Sequence, residues 1–261
     1  MSLLSQEELS GYMSVVDSVP YKERLKIKQL LELDRVQRCQ DSFLFFVQQM
    51  WPVFISGRHH KIMADAFERV ARGELKRLII NMPPRHTKSE FASYLLPAWF
   101  LGKFPHKKII QTAHTAELAV GFGRKVRNLV QSDPYLKVFK TKLSSDSKAA
   151  GRWNTEQGGD YFAIGVGGAV TGKGADILII DDPHSEQEAK QNNPGVYDGV
   201  YEWYTSGPRQ RLQPGGAIII VMTRWAKRDL TGQILKNSSK DGTDDWEVIE
   251  FPAILPSGNP L

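Results

Sequence analysis

The spacing of apolar residues along this chain changes at about residue 76. Before it, apolar positions recur near a helical period: Leu25, Ile27, Leu30, Leu31, Leu33 and Val36 within 23–36, then Phe43 to Met50 stopped by Pro52, then Lys61 to Arg72 ended by Gly73. After it, short and nearly uninterrupted apolar runs alternate with amphipathic segments. The pattern predicts strands at 77–81, 108–113, 177–181, 217–222 and 246–251, helices at 88–101, 115–131, 196–206 and 228–236, and an antiparallel pair within 151–168. A run such as Ile177-Leu178-Ile179-Ile180 is apolar at every residue, as in a strand buried on both faces. The expected fold is therefore α/β, a mostly parallel sheet with helices on both faces. Residues 1–75 are expected to form an N-terminal helical lid or linker, and 76–261 the core. Gly165, Gly167, Gly168, Gly172 and Gly174 predict a flexible segment ahead of strand 177–181.

Two of the predicted strands end in chemistry. Strand 77–81 runs into Met82-Pro83-Pro84-Arg85-His86-Thr87-Lys88-Ser89-Glu90, a tight turn ending in Lys-Ser that opens a helix. That is how a phosphate-binding loop is built: helix-start N–H groups hold the anion, Lys88 reaches the outer phosphates, and the Ser89 hydroxyl ligates magnesium. The consensus glycines at the ends of the loop's four-residue span are replaced by Met82 and Thr87, so an ordinary helix start after a Pro-rich turn fits the loop taken alone. Strand 177–181 ends in Asp181-Asp182-Pro183 and would deliver carboxylates at its C-terminal tip, where doubly wound folds bind ligands. Asp181 is assigned to the metal's shell and Asp182 to the attacking water; the alternative is that both merely cap a helix beginning near Ser185. Taken jointly, loop and acids favour nucleotide hydrolysis. Thr223, at the tip of strand 217–222, is expected either to sense the terminal phosphate or to act as a cap or turn residue. The pair His59-His60 lacks further ligands at metal spacing and is expected to serve at the surface or in packing.

Composition narrows the class. The 261 residues suit one large α/β domain, and the single cysteine, Cys39, cannot form an internal disulfide. No apolar stretch is long enough to cross a bilayer, so the expectation is an intracellular soluble protein. The net charge of +5 is uneven: from Lys103 to Lys142 there are nine Lys or Arg against Glu117 and Asp133, a patch suited to a phosphate backbone or simply a solvated face.

With these motifs in place, the chain resembles the ATPase half of the large terminase subunit of tailed bacteriophages, the motor that drives DNA into a preformed capsid. The resemblance runs from Trp51-Pro52-Val53-Phe54 and His59-His60 through the Lys88 loop, Thr171-Gly172-Lys173-Gly174-Ala175-Asp176 and Asp181-Asp182-Pro183 to Met222-Thr223-Arg224-Trp225, followed by Asp229-Leu230, and Glu250-Phe251-Pro252-Ala253-Ile254. It implies a P-loop NTPase of the additional-strand (ASCE) type, with ATP and Mg²⁺ as cofactors. Pro84, Arg85, His86, Thr87, Lys88, Ser89 and Glu90 would line the phosphates, Ser89 and Asp181 the metal, and Asp182 the water. Thr223 would couple hydrolysis to movement, and the segment Trp51 to His60 would lie near the adenine. The implied partners are double-stranded DNA, the portal protein of the procapsid, the small terminase subunit and further copies in a ring, a pentamer when assembled and a monomer in isolation. The implied location is the host cytoplasm, transiently the portal vertex.

Several positions depart from the family pattern. Thr87 stands where many relatives have Gly, and Asp182 where a catalytic Glu is common, which brings Glu186 and Glu188 forward as alternatives. Lys173 stands where relatives often carry an Arg that reaches a neighbour's ATP; it is the first candidate for that role, with Arg152 and Arg124 behind it. The family usually continues into a nuclease, and since this chain ends at Leu261 no DNA cleavage is expected. Two rivals share these residues: a nucleic-acid helicase or remodelling ATPase, and a non-catalytic nucleotide-sensing or DNA-binding scaffold.

Overall fold

The computed structural model describes residues 3–191, 193–241 and 244–254. One eight-stranded sheet organises the chain, with strands β1 (Arg77–Asn81), β2 (Lys108–Ala113), β3 (Leu143–Ala149), β4 (Arg152–Thr155), β5 (Asp160–Gly165), β6 (Ala175–Asp181), β7 (Leu212–Met222) and β8 (Glu247–Glu250). Their order is β3-β4-β5-β2-β6-β7-β1-β8. All pairings from β5 to β8 are parallel, and β3, β4 and β5 form an antiparallel meander at one edge. β7 lies between β1 and β6, so the loop strand and the acid strand are not neighbours.

The side-chain period of two explains the apolar runs. Leu78, Ile80, Ile177, Ile179, Ile219 and Val221 face one core cluster, while Ile79, Leu178, Ile180, Ile218, Ile220 and Met222 face another. Helices α3 (Phe43–Met50), α4 (Arg58–Ala71), α5 (Leu96–Lys103), α6 (Ala116–Val130) and α7 (Asp133–Val138) cover the first face. Helices α9 (Pro194–Ser206) and α10 (Leu230–Asp241) cover the second. With both faces covered there is no polar alternation to find. Two more helices, α1 (Gln6–Val15) and α2 (Tyr21–Asp41), precede α3, and a short α8 (Glu186–Gln191) follows β6. No helix among the described residues is long and apolar enough to cross a membrane.

The differences from expectation have local causes. β3 was not predicted because Leu143-Ser144-Ser145-Asp146-Ser147 has no apolar alternation; it pairs on one side only, as an edge strand. β7 starts five residues earlier than expected, at Leu212, through a Pro-Gly-Gly segment with a register irregularity opposite Ala175. The glycine segment expected to be flexible is tied down: Val166 N–H donates to the Ala113 carbonyl and the Trp203 indole to the Gly168 carbonyl at 2.9 Å. At Gly165 a Cβ would stand 2.4 Å from the Ala116 nitrogen, so only glycine lets β5 end against the first turn of α6. Phe43, Phe46, Met63 and Phe67 of the leader share one cluster with β1, so α3 and α4 pack into the same core as the sheet.

Candidate active site

The C-terminal tips of β1, β6 and β7 converge. Met82 N–H donates to the Met222 carbonyl, and Asp182 N–H to the Val221 carbonyl, which aligns the three strand ends. From β1 the chain turns through Pro83 and Pro84 and becomes helical at Lys88, with Phe91 N–H donating to the Thr87 carbonyl. The first-turn N–H groups of such a helix have no acceptor within the helix and point at whatever sits before it.

Lys88 is 6% exposed, and its Nζ stands 2.6 Å from Asp182 Oδ2. The other oxygen, Asp182 Oδ1, accepts the Thr223 N–H at 2.8 Å. Asp182 therefore ties the loop lysine to the tip of β7. Asp181, 2% exposed, accepts hydrogen bonds from Ser89 Oγ at 2.9 Å and Ser93 Oγ at 2.7 Å. Burial raises the Asp181 pKa, the Asp182 charge adds to the rise, and Ser93, Lys88 and Ser89 oppose it. Ser93 lies in a π-helical turn, Glu90–Leu95, that runs straight into α5. Such turns interrupt α-helices frequently at functional sites; here both serine hydroxyls meet one carboxylate.

Backbone strain is concentrated at this site. Among the described residues the non-glycine positions with positive φ are Arg85 (65°), Thr87 (65°) and Asp182 (38°). Each left-handed residue costs roughly 1–2 kcal/mol, and such conformations persist only where surroundings impose them. Left-handed turns of this kind also build the backbone concavities that bind anions.

The structure brings together Lys88, Ser89, Asp181, Asp182 and Thr223, but not every residue singled out in the sequence. Thr223 uses its main-chain N–H on Asp182, while its hydroxyl turns to the Met82 carbonyl at 3.3 Å. Arg85 is exposed on the loop, and His86 Nδ1 lies 2.8 Å from the Pro84 carbonyl. Glu90 faces away, its carboxylate 2.6 Å from Lys125 of α6. Glu186 pairs with Lys190, and Glu188 closes a cap with Ser185 at the start of α8. Ser185, rather than the two aspartates, thus caps that helix. Lys173 is not brought to the group. It precedes β6, whose seven residues put it about 20 Å from the Asp181 end, and its Nζ is held 2.8 Å from Asp160 and over the Phe162 ring.

Three further residues organise the site: His60 and Asp229, which the sequence offered only within motifs of the resemblance and with no assigned bond, and Ser93, which it did not offer. His60, expected at the surface or in packing and within the segment the resemblance sets near the adenine, is buried and reaches Thr87 Oγ1 at 2.6 Å. Asp229, fully buried, accepts from Arg224 Nε and from the N–H groups of Trp225, Ala226 and Gly232, fixing the segment that follows β7. Ser93 holds Asp181 from behind. The signal that could have found Ser93 is its four-residue spacing from Ser89 on a helix.

Burial, with His59 and His86 adding to it, pushes the His60 pKa down to about 4. An unfolded histidine titrates near 6.5. Between those values the unfolded chain binds a proton that the folded chain refuses, so His60 lowers stability as pH falls through that window. Urea unfolding at about pH 7.5 and about pH 5 should show a larger loss of stability in the parent than in His60→Gln, which cannot titrate. Asp181 shifts stability in the opposite sense in both proteins, so the comparison isolates His60. Equal losses would count against this assignment.

No family model matches this chain, and no curated protein does. Among solved structures it is similar to the crystal structure of the HK97 bacteriophage large terminase, with a TM-score of 0.51 and 14% identity, covering 83% of this chain and 44% of that one. The chain thus spans less than half the length of that terminase. At this identity the likeness shows the fold, which is a terminase-like mixed α/β sheet with helices.

Proposed function

We propose that this chain is the ATP-hydrolysing motor part of a DNA-packaging terminase, built on a P-loop core of the additional-strand type. The observation that carries the reading is the convergence of Lys88, Ser89, Asp181, Asp182 and Thr223 at the C-terminal edge of parallel strands. β7, lying between the loop strand and the acid strand, is the additional strand. The likeness to the HK97 terminase fold agrees with it.

In this reading the helix-start N–H groups, Arg85 and Lys88 bind the phosphates of ATP. Ser89 Oγ and the Asp181 carboxylate are hard oxygen donors in mutual contact, a set that suits Mg²⁺ with phosphate oxygens and water supplying its remaining ligands. Bound magnesium would neutralise charge on the phosphates. Phosphate oxygens compete for Lys88, which releases Asp182 Oδ2 from its ion pair. That oxygen is then available to orient water and accept its proton as the terminal phosphate leaves ADP. Because Asp182 Oδ1 holds the Thr223 N–H, any shift of the carboxylate is passed to the end of β7 and to the Asp229-organised segment leading into α10.

A basic residue from a neighbouring copy in a ring would complete the site. Arg124 and Arg152 are exposed and belong to no ion pair among the described residues, so they stand ahead of the Asp160-bound Lys173. Double-stranded DNA, the portal protein and the small terminase subunit complete the proposed setting.

The test is phosphate release from ATP with magnesium, with and without intact duplex DNA. Asp182→Asn should keep ATP affinity within a few-fold and lower turnover by about 10²–10⁴. ATP binding by the parent protein without phosphate release at any protein concentration, DNA included, would instead support the sensing scaffold. Separation of a forked duplex would favour a helicase.

A further inference from the structure

We propose that His60 is a positioning residue that takes over the task of the glycine missing from the phosphate loop, holding Thr87 in the left-handed conformation. The inference rests on the nucleotide-binding reading above and adds a residue from outside the loop and the sheet.

A β-branched residue at φ 65° is unusual, because its Cβ substituents crowd the backbone in that region. Thr87 is nevertheless held there by bonds to its hydroxyl. His60 Nδ1 accepts the Gly57 N–H at 2.8 Å. The neutral ring must then carry its proton on Nε2, which donates to Thr87 Oγ1 at 2.6 Å. With that lone pair engaged, the Thr87 hydroxyl donates to the His86 carbonyl at 2.5 Å. The chain of donors has one direction from end to end and spans 27 residues of sequence between His60 and Thr87.

The ring itself is fixed. It packs edge-on against Phe54, with centroids 4.7 Å apart, and tilted over Phe91 at 4.8 Å. Phe91 is also the residue whose N–H donates to the Thr87 carbonyl. The same wall that fixes the imidazole therefore fixes the first turn of the helix carrying Lys88 and Ser89. A glycine at 87 would need no such wall, since it enters φ > 0 without steric cost. His60 makes no hydrogen bond to Lys88, Asp181 or Asp182, so its effect passes through Thr87.

The experiment compares the parent with His60→Ala, Thr87→Val, Thr87→Gly and the double variant His60→Ala/Thr87→Gly. Mg-ATP affinity is measured by titration, and amide hydrogen exchange over residues 85–91 is followed in the protein alone. His60→Ala should weaken ATP binding by about tenfold and speed exchange at the Phe91 amide. Thr87→Val, which removes only the hydroxyl and leaves the buried ring in place, should do the same, so the test stands even if His60→Ala folds poorly. Thr87→Gly should bind within about threefold of the parent, and in the double variant it should restore most of the lost affinity. A double variant as weak as His60→Ala would overturn the proposal, as would unchanged exchange and affinity in Thr87→Val. If the parent itself binds no ATP, the nucleotide reading fails, and the exchange data still decide whether His60 braces the loop.

Discussion

Lys88→Ala is expected to lower ATP turnover by about 10²–10³-fold or more, the usual cost of removing one preorganised charge-stabilising donor. The ammonium is almost fully buried and already positioned by Asp182, so little reorganisation is needed when phosphate replaces the carboxylate as its partner. Removing it also leaves Asp182 Oδ2 unpaired beside the Asp181 carboxylate. Asp182 is partly exposed and can be rehydrated, so the accompanying loss of stability should stay near 1 kcal/mol. Phosphate release and thermal melting on the same preparation check both parts. A variant that folds and hydrolyses ATP at the parent rate would remove Lys88 from the mechanism, and with it the reading of the loop.

Asp181→Asn is expected to move activity and stability in opposite directions. The carboxylate is buried, next to a second acid, and burial already raises its pKa. An amide of the same shape removes the cost of a buried charge and the repulsion from Asp182. Stability measured with a chelator present should rise by about 1–2 kcal/mol. Hydrolysis should fall by at least about 10²-fold, because a neutral amide is a poor partner for magnesium. A variant that loses stability as well as activity would show that Asp181 serves chiefly to anchor Ser89 and Ser93.

Both predictions concern residues whose positions in the fold were legible in the chain. β1, β2, β6 and the apolar part of β7 could be read because both sheet faces are covered and leave no polar interruption. β3 could not, because an edge strand needs little apolar surface and Leu143–Ala149 supplies little. The positions of Lys88, Ser89, Asp181 and Asp182 were legible because the pattern exposes β1 and β6: the two acids stand at the tip of β6, and Lys-Ser opens the helix after the Pro-rich turn that ends β1. For His60 and Asp229, both within motifs of the resemblance, the bonds they make were not legible. Their partners are mostly backbone or hydroxyl groups, with Arg224 added for Asp229, and any polar residue at a helix end or turn looks alike before folding. For Lys173, expected at a neighbouring copy's ATP through the family resemblance, tertiary structure adds an ion pair with Asp160 at the start of β5, a contact between distant segments.

The order of apolar runs and the residue types at their ends determined, with no coordinates, an α/β sheet with a Lys-Ser turn after one strand and paired acids at the tip of another, because periodicity and local chemistry are properties of short segments. Tertiary structure alone decided that β7 enters between β1 and β6, that Asp182 bridges Lys88 to the Thr223 N–H, and that the His60 imidazole meets the Thr87 hydroxyl. Those outcomes depend on which distant segments meet, and that is set by the packing of two cores on one sheet.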